Sequence, residues 1–175
     1  IMKKIFKNKM LKAFALGLIL IIPQVAKASG EFDSQKEAYM YGAGLNQNQI
    51  EEVKNKLGLS DDINKSSVNG DDCQKYLGYK AEDYNMISSV SVKKLPEGSG
   101  IKVEILTPEN ITSITQSQYT NAAITSGITD AEIKVASPTK VTGESALVGV
   151  YKAIEMFGEK VIHKALKLLK KSLEH

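Results

Sequence analysis

The sequence predicts an α+β fold: a small three-stranded mixed sheet, built from a hairpin plus a right-handed β-α-β crossover, with helices on one face and a long amphipathic C-terminal helix. Three observations predict it. Ile87 to Leu95 and Ile101 to Leu106 alternate apolar and polar residues on either side of Pro96-Glu97-Gly98-Ser99-Gly100, a turn-forming run, which is the pattern of two half-buried strands joined as an antiparallel hairpin. The chain then changes to helical and back to strand periodicity between Thr115 and Ala136, which implies parallel strands flanking a crossover helix. Beyond Thr142 an apolar stripe recurs at helical spacing from Leu147 to Leu169.

Residues 1–28 read as a secretory signal peptide. Lys3, Lys4, Lys7, Lys9 and Lys12 form a basic start, Ala13 to Ile22 is uninterruptedly apolar, Pro23 breaks it, and Ala26 and Ala28 present small residues for cleavage before Ser29. The apolar run is shorter than the roughly 20 residues a bilayer-spanning helix needs. Residues 29–70 form a polar lead-in with one helix, 48–57, in which Ile50, Val53 and Leu57 share a face and Gly58 is the stop. Residues 71–172 form the α/β domain. Asp71 or Asp72 caps a short helix ending at Leu77-Gly78, and Thr115 with Gln118 makes a capping box for the helix that ends at Gly127. Asp130 to Ala136 is the third strand, with Ile133 and Val135 inward, and Thr142 opens the longest helix. The chain stops in a helical pattern near Ser172, so the native protein is expected to continue.

Composition removes several functions. Of 175 residues, 23 are Lys or Arg and 20 are Asp or Glu; every basic one is Lys. Cleavage after Ala28 would leave 17 Lys against 20 acids, a net charge of −3 in place of +3. Without the bidentate Arg fork, nucleic-acid recognition lacks its best tool. One Cys and two His make neither a disulfide nor a structural zinc cage. No cofactor, metal or catalytic residue is assigned.

Residues 119–153 carry a resemblance. Tyr119-Thr120-Asn121-Ala122-Ala123-Ile124-Thr125-Ser126-Gly127-Ile128-Thr129-Asp130-Ala131, then Val135-Ala136-Ser137-Pro138 and Val141 to Ala153 (VTGESALVGVYKA), resemble the family of predicted secreted bacterial proteins filed as domain of unknown function 1002. Lys75-Tyr76-Leu77-Gly78, Ile87-Ser88-Ser89 and Gly98-Ser99-Gly100-Ile101 agree with it. The resemblance covers roughly 68–157 and implies export from a Gram-positive-type cell. It implies no activity and supplies no functional residue. The segment between Gly78 and Ile87 is short for the family.

The remaining chemistry reads as structural. Gly143-Glu144-Ser145-Ala146-Leu147 begins like a nucleophile elbow but has Leu at the second glycine, and the nearest His, His163, lies about five helical turns along the same helix. Ser145 is therefore expected to satisfy free amides, and Cys73, preceded by two acidic residues and without a partner base, to be either buried filler or an accidental reactive group, not a catalytic thiol. Asp61-Asp62 and Asn69-Gly70-Asp71-Asp72 lack EF-hand spacing and read as caps and a solvated loop. Lys160, Lys164, Lys167 and Lys171 line one side of the last helix opposite Val161, Ile162, Ala165, Leu166, Leu169 and Leu173, a profile shared by docked helices and by membrane-surface helices. The expected function is a non-catalytic binding or scaffolding module at the cell envelope. Its expected contacts are Ser89, Ser91, Lys93, Lys102 and Glu104 on the open sheet face and the far end of the last helix, where self-association is also expected. The alternatives are a membrane-surface protein acting through helix 160–173 and a carboxylate-dependent hydrolase.

Overall fold

Five strands form the sheet where three were expected. The computed structural model describes residues 37–158. In chain order these give β1 (Glu37–Gly42), α1 (Gln47–Lys56), β2 (Asn64–Val68), α2 (Gly70–Leu77), a 3₁₀ turn (Asp83–Asn85), β3 (Ser89–Lys94), β4 (Ile101–Ile105), α3 (Gln116–Thr125), β5 (Ala131–Ala136) and α4 (Glu144–Met156). The sheet order is β2-β1-β3-β5-β4. β3 alone runs against the others, pairing antiparallel with β1 and β5, while β1–β2 and β4–β5 are parallel. The protein is thus α+β, with a mixed sheet.

Both unexpected strands lie in what reads as a polar lead-in. β1 has no apolar alternation because it is covered on both faces: Tyr39 and Met40 point opposite ways and each is 0% exposed. β2, Asn-Lys-Ser-Ser-Val, is an edge strand whose one fully buried side chain is Val68.

The expected hairpin is corrected too. β3 and β4 run antiparallel, but β5 lies between them. The 95–100 connection steps over a strand, a span of roughly 10 Å at sheet spacing that a two-residue turn cannot bridge. Asp130 anchors the step at the start of β5. Its carbonyl accepts from Leu95 N–H at 3.0 Å and its carboxylate from Gly100 N–H at 2.7 Å. The Gly100 amide and the Thr129 hydroxyl hold that carboxyl below the usual range.

Helices cover both faces, another correction. α2, α3 and α4 bury Cys73, Tyr119, Ala122, Ala123, Ala146, Val150 and Ile154 against Met40, Val90, Val92, Ile133 and Val135. Gly149 lets α4 lie close to the sheet, since a Cβ there would stand 2.6 Å from Val90 Cγ1. α1 packs on the opposite face, where Ile50, Val53 and Leu57 cluster with Tyr39 and Ala136, and Tyr39 donates to the Ile50 carbonyl at 3.0 Å. The units β1-α1-β2 and β4-α3-β5 step the same way along the sheet with helices on opposite faces. Their crossovers therefore have opposite hands, and one departs from the right-handed rule.

The helix starts follow side-chain oxygens. Asn46 with Gln49, Asn69 with Asp72 and Thr115 with Gln118 each form a reciprocal capping box. Asn69, not Asp71 or Asp72, thus occupies the cap of α2. Gly143, not Thr142, caps α4, with φ +99° and no side-chain bond. The single helix expected through Leu169 is also corrected. α4 ends at Met156, and Gly158 has φ +77°, a left-handed conformation that stops a helix. His163, Lys160, Lys164, Leu166, Lys167, Leu169 and Lys171 lie outside the described residues, as does the 1–28 segment.

One buried lysine ties α1 to the loop before β2. Lys54, 4% exposed, reaches Glu51 at 2.5 Å and Asp61 at 2.6 Å. The hydrogen bonds that Lys54 donates to Asp61 and Glu51 lower the pKa values of both carboxyls and raise that of Lys54. The carboxylates therefore stabilise the fold above their ordinary values near pH 4, and this is lost as pH falls through the lowered folded values. The lysine's share is present below its ordinary 10.5 and is lost as pH rises through the raised folded value. Lys54→Met is expected to flatten the fall in urea midpoint between pH 7 and pH 3; an unchanged slope would place the acid sensitivity elsewhere.

Candidate functional site

A cleft of about 340 Å³ opens beside the N-terminus of α4, lined by Ala81, Asn85, Met86 and Ser88 on one side and by Val141 to Ser145 on the other. The 81–88 wall is seated on glycines. A Cβ at Gly42 would lie 2.1 Å from the Met86 carbonyl oxygen, one at Gly44 2.7 Å from that of Tyr84, and one at Gly70 1.8 Å from that of Ala81. Gly44 N–H donates to Met86 O at 2.9 Å and Gly70 N–H to the Asp83 carboxylate at 2.8 Å. Backbone packed on backbone in this way makes a wall formed before any ligand arrives.

The facing wall is fixed through Tyr119, whose buried hydroxyl donates to the Gly143 carbonyl at 2.9 Å. A bridge between Ile111 and Val141 and the bonds from Ser113 and Ile114 N–H to Thr142 O complete it. Two serines close the floor. Ser145 Oγ donates to the Ser88 carbonyl at 2.5 Å and lies 2.8 Å from Ser88 Oγ, which accepts from Ala146 N–H at 2.9 Å. Ser88 thereby supplies the side-chain cap that α4 lacks at Gly143. Ser145, 4% exposed, spends its proton on the Ser88 carbonyl. Ser88→Ala strands the Ala146 amide and is expected to cost about 2 kcal/mol in urea unfolding; a loss below a few tenths would mean water takes the position of the hydroxyl.

Two exposed tyrosines adjoin lining residues, Tyr84 through its chain neighbour Asn85 and Tyr79 through Glu144. Tyr84 is 71% exposed beside Asn85, and Tyr79 is 44% exposed. Desolvation of Tyr79, with bonds to Glu144 and Cys73, raises its pKa well above the usual phenol value. Cys73 beneath is 1% exposed, and burial pushes its thiol up, against the Tyr79 bond and with help from Glu144. A thiol kept protonated is a poor nucleophile, as its place in the core implies.

The residues singled out from the sequence are dispersed. Asp61 pairs with Lys54, and Asp71 with Lys80 at 3.3 Å. Asp72 caps α2 with Asn69 and takes Lys152 at 2.8 Å. Among the described residues no group of three or more His, Cys, Asp or Glu could hold a metal ion, and no helix is long and apolar enough to cross a membrane. Of the expected contact face, Ser89 and Ser91 are buried on the side where α1 packs, whereas Lys93, Lys102 and Glu104 are exposed. Tyr79, Tyr84 and Asn85 were not legible as site residues. The available signal was two tyrosines in the otherwise polar run Tyr79 to Asn85 (YKAEDYN) between a helix stop and a strand.

Comparison with known proteins places these features in a family. The uncharacterized protein YpuA of Bacillus subtilis (strain 168) is 30% identical over 170 residues, which is 95% of this chain and 56% of that protein. The chain thus spans little more than half the length of that curated relative. No solved structure matches the chain. The family described as "Protein of unknown function (DUF1002)" matches residues 41–175, from within β1 through every later element of the sheet and both walls of the cleft. The chain belongs to the DUF1002 family.

Proposed function

We propose that the domain is a non-catalytic, exported binding module of the bacterial cell envelope, and that its cleft grips a hydroxyl-rich glycan segment. The observation that carries this reading is the preformed cleft lined by Asn85, Thr142 and Glu144, with exposed Tyr84 next to Asn85 in the chain and Tyr79 bonded to Glu144. Tyr84, 71% exposed, offers an apolar face for the C–H face of a sugar ring and a polar tip at its edge. Asn85, Thr142 and the Glu144 carboxylate supply the few convergent polar groups that orient a ligand in such a pocket. The lining contains one carboxylate, Glu144, whereas glycosidic cleavage uses two facing each other; this favours holding a glycan over cutting it. Export rests on the three-part pattern of residues 1–28.

Calorimetric titration with soluble cell-wall glycan fragments tests the reading. Saturable binding weakened about tenfold by Tyr84→Ala and again by Glu144→Gln is expected, roughly 1.4 kcal/mol for each. Absence of binding at millimolar glycan, or affinity indifferent to both substitutions, would contradict it.

A further inference from the structure

We propose that β4 is the seam of a two-fold dimer, in which a second copy of this chain adds its own β4 antiparallel and makes one continuous ten-stranded sheet. β4 is an edge strand. Gly100 O and Leu106 N bond toward β5, so alternation along the strand turns the N–H and C=O groups of Ile101, Val103 and Ile105 to the open side. There the Val103 carbonyl takes the side chain of Gln116 at 3.2 Å.

The strand reads Ile101-Lys102-Val103-Glu104-Ile105, which is charge-complementary to itself about Val103. Antiparallel pairing centred on Val103 sets Lys102 against Glu104 of the second copy, Glu104 against its Lys102, and Ile101 against its Ile105. Centring on Lys102 or on Glu104 instead puts like charges face to face, which destabilises a pair. The chosen register also continues a pattern already inside the sheet. Lys93 lies opposite Glu132, Glu132 opposite Lys102, and Lys134 opposite Glu104. Across the dyad the row runs Lys93, Glu132, Lys102, then Glu104 and Lys134 of the second copy, alternating in sign throughout.

The flank beside this edge suits a second copy. A shallow hollow of about 350 Å³ lies between β4 and α3, lined by Ile101, Val103, Gln116, Ser117, Thr120 and Asn121. α3 contains no charged residue, and its outer face continues to Ile124, an isoleucine 52% exposed. The two-fold brings this uncharged face against its own copy, and an isologous contact of this kind closes at two chains. The other edge differs: β2 reads Asn-Lys-Ser-Ser-Val, with no acidic residue to pair across a dyad, and Lys152 Nζ donates to its Ser67 carbonyl at 2.7 Å.

Sedimentation of the full chain, with circular dichroism as the folding control, tests the seam. A reversible dimer is expected. Lys102→Glu and Glu104→Lys should each weaken it about tenfold or more, because each leaves two like-charged contacts across the dyad. An equimolar mixture of the two variants should dimerise again, since both contacts are then of opposite sign; a merely unfolded variant would not be rescued. Val103→Pro removes an outward amide and should leave a folded monomer. A monomeric wild type would overturn the proposal. So would a dimer indifferent to all three substitutions, or failure of the mixture to recover. A monomer whose Val103 amide is protected from hydrogen exchange would show residues 159–175 or another segment of the same chain on the edge, and would equally overturn it.

Discussion

Gly70→Ala is expected to destabilise the protein by about 3 kcal/mol in urea unfolding, at the upper end of what overpacking costs. The added methyl would stand 1.8 Å from the Ala81 carbonyl oxygen and 3.3 Å from the Asp83 carboxylate. Both belong to the segment seated on Gly70, and backbone cannot rotate aside as a side chain can. Either the 81–88 wall lifts, breaking the 2.8 Å bond from the Gly70 amide to Asp83, or α2 shifts from α4. Gly58→Ala is the control. It stands in open space at φ +71°, so only backbone strain is charged, about 1 kcal/mol. Because Gly70 touches no ligand in the proposed site, a variant that stays folded but loses glycan affinity would show that the wall's position matters to binding. Equal costs at Gly58 and Gly70 would contradict the seating.

Ile133→Ala is expected to cost about 4 kcal/mol, within the range for truncating a core isoleucine. Ile133 is 0% exposed and sits between Val92 of β3 and Val103 of β4, with the helical layer above. The size of the loss tests the strand order. Had β3 and β4 paired as a hairpin, β5 would lie at an edge, where residues are half covered and truncation costs less. Val103→Ala on the true edge should cost no more than about 1.5 kcal/mol. Comparable losses at the two positions would contradict an inserted β5.

The helices were more legible than the sheet, for reasons that can be named. The Thr115/Gln118 box and the Leu-Gly stops at Gly58 and Gly78 are local chemistry, and each is present in the structure. Strand pairing is not local. Nothing within Ile87 to Leu106 states that β5, a helix later, will insert between the two strands; the clue was the length of the 95–100 connection. β1 escaped because a strand covered on both faces shows no alternation, and β2 because an edge strand can be almost wholly polar. Thr142 was an eligible cap, but the chain places Gly143 at a positive φ there and borrows Ser88 from β3's entry to satisfy the helix. That contact spans 58 residues and has no local signature. The cleft was obscure for the same reason: its two walls are separated by over fifty residues, and the glycines that seat one of them have meaning only once Ala81, Tyr84 and Met86 lie against them.

Glycan binding in the cleft is tested by a nuclear magnetic resonance titration of the folded chain with cell-wall glycan fragments, read amide by amide. The binding reading predicts saturable shifts confined to residues 79–88 and 141–146, on both walls at once and with one dissociation constant. Shifts clustered instead on α1 or on the α3 side of the sheet, or none at all at saturating glycan, would contradict it.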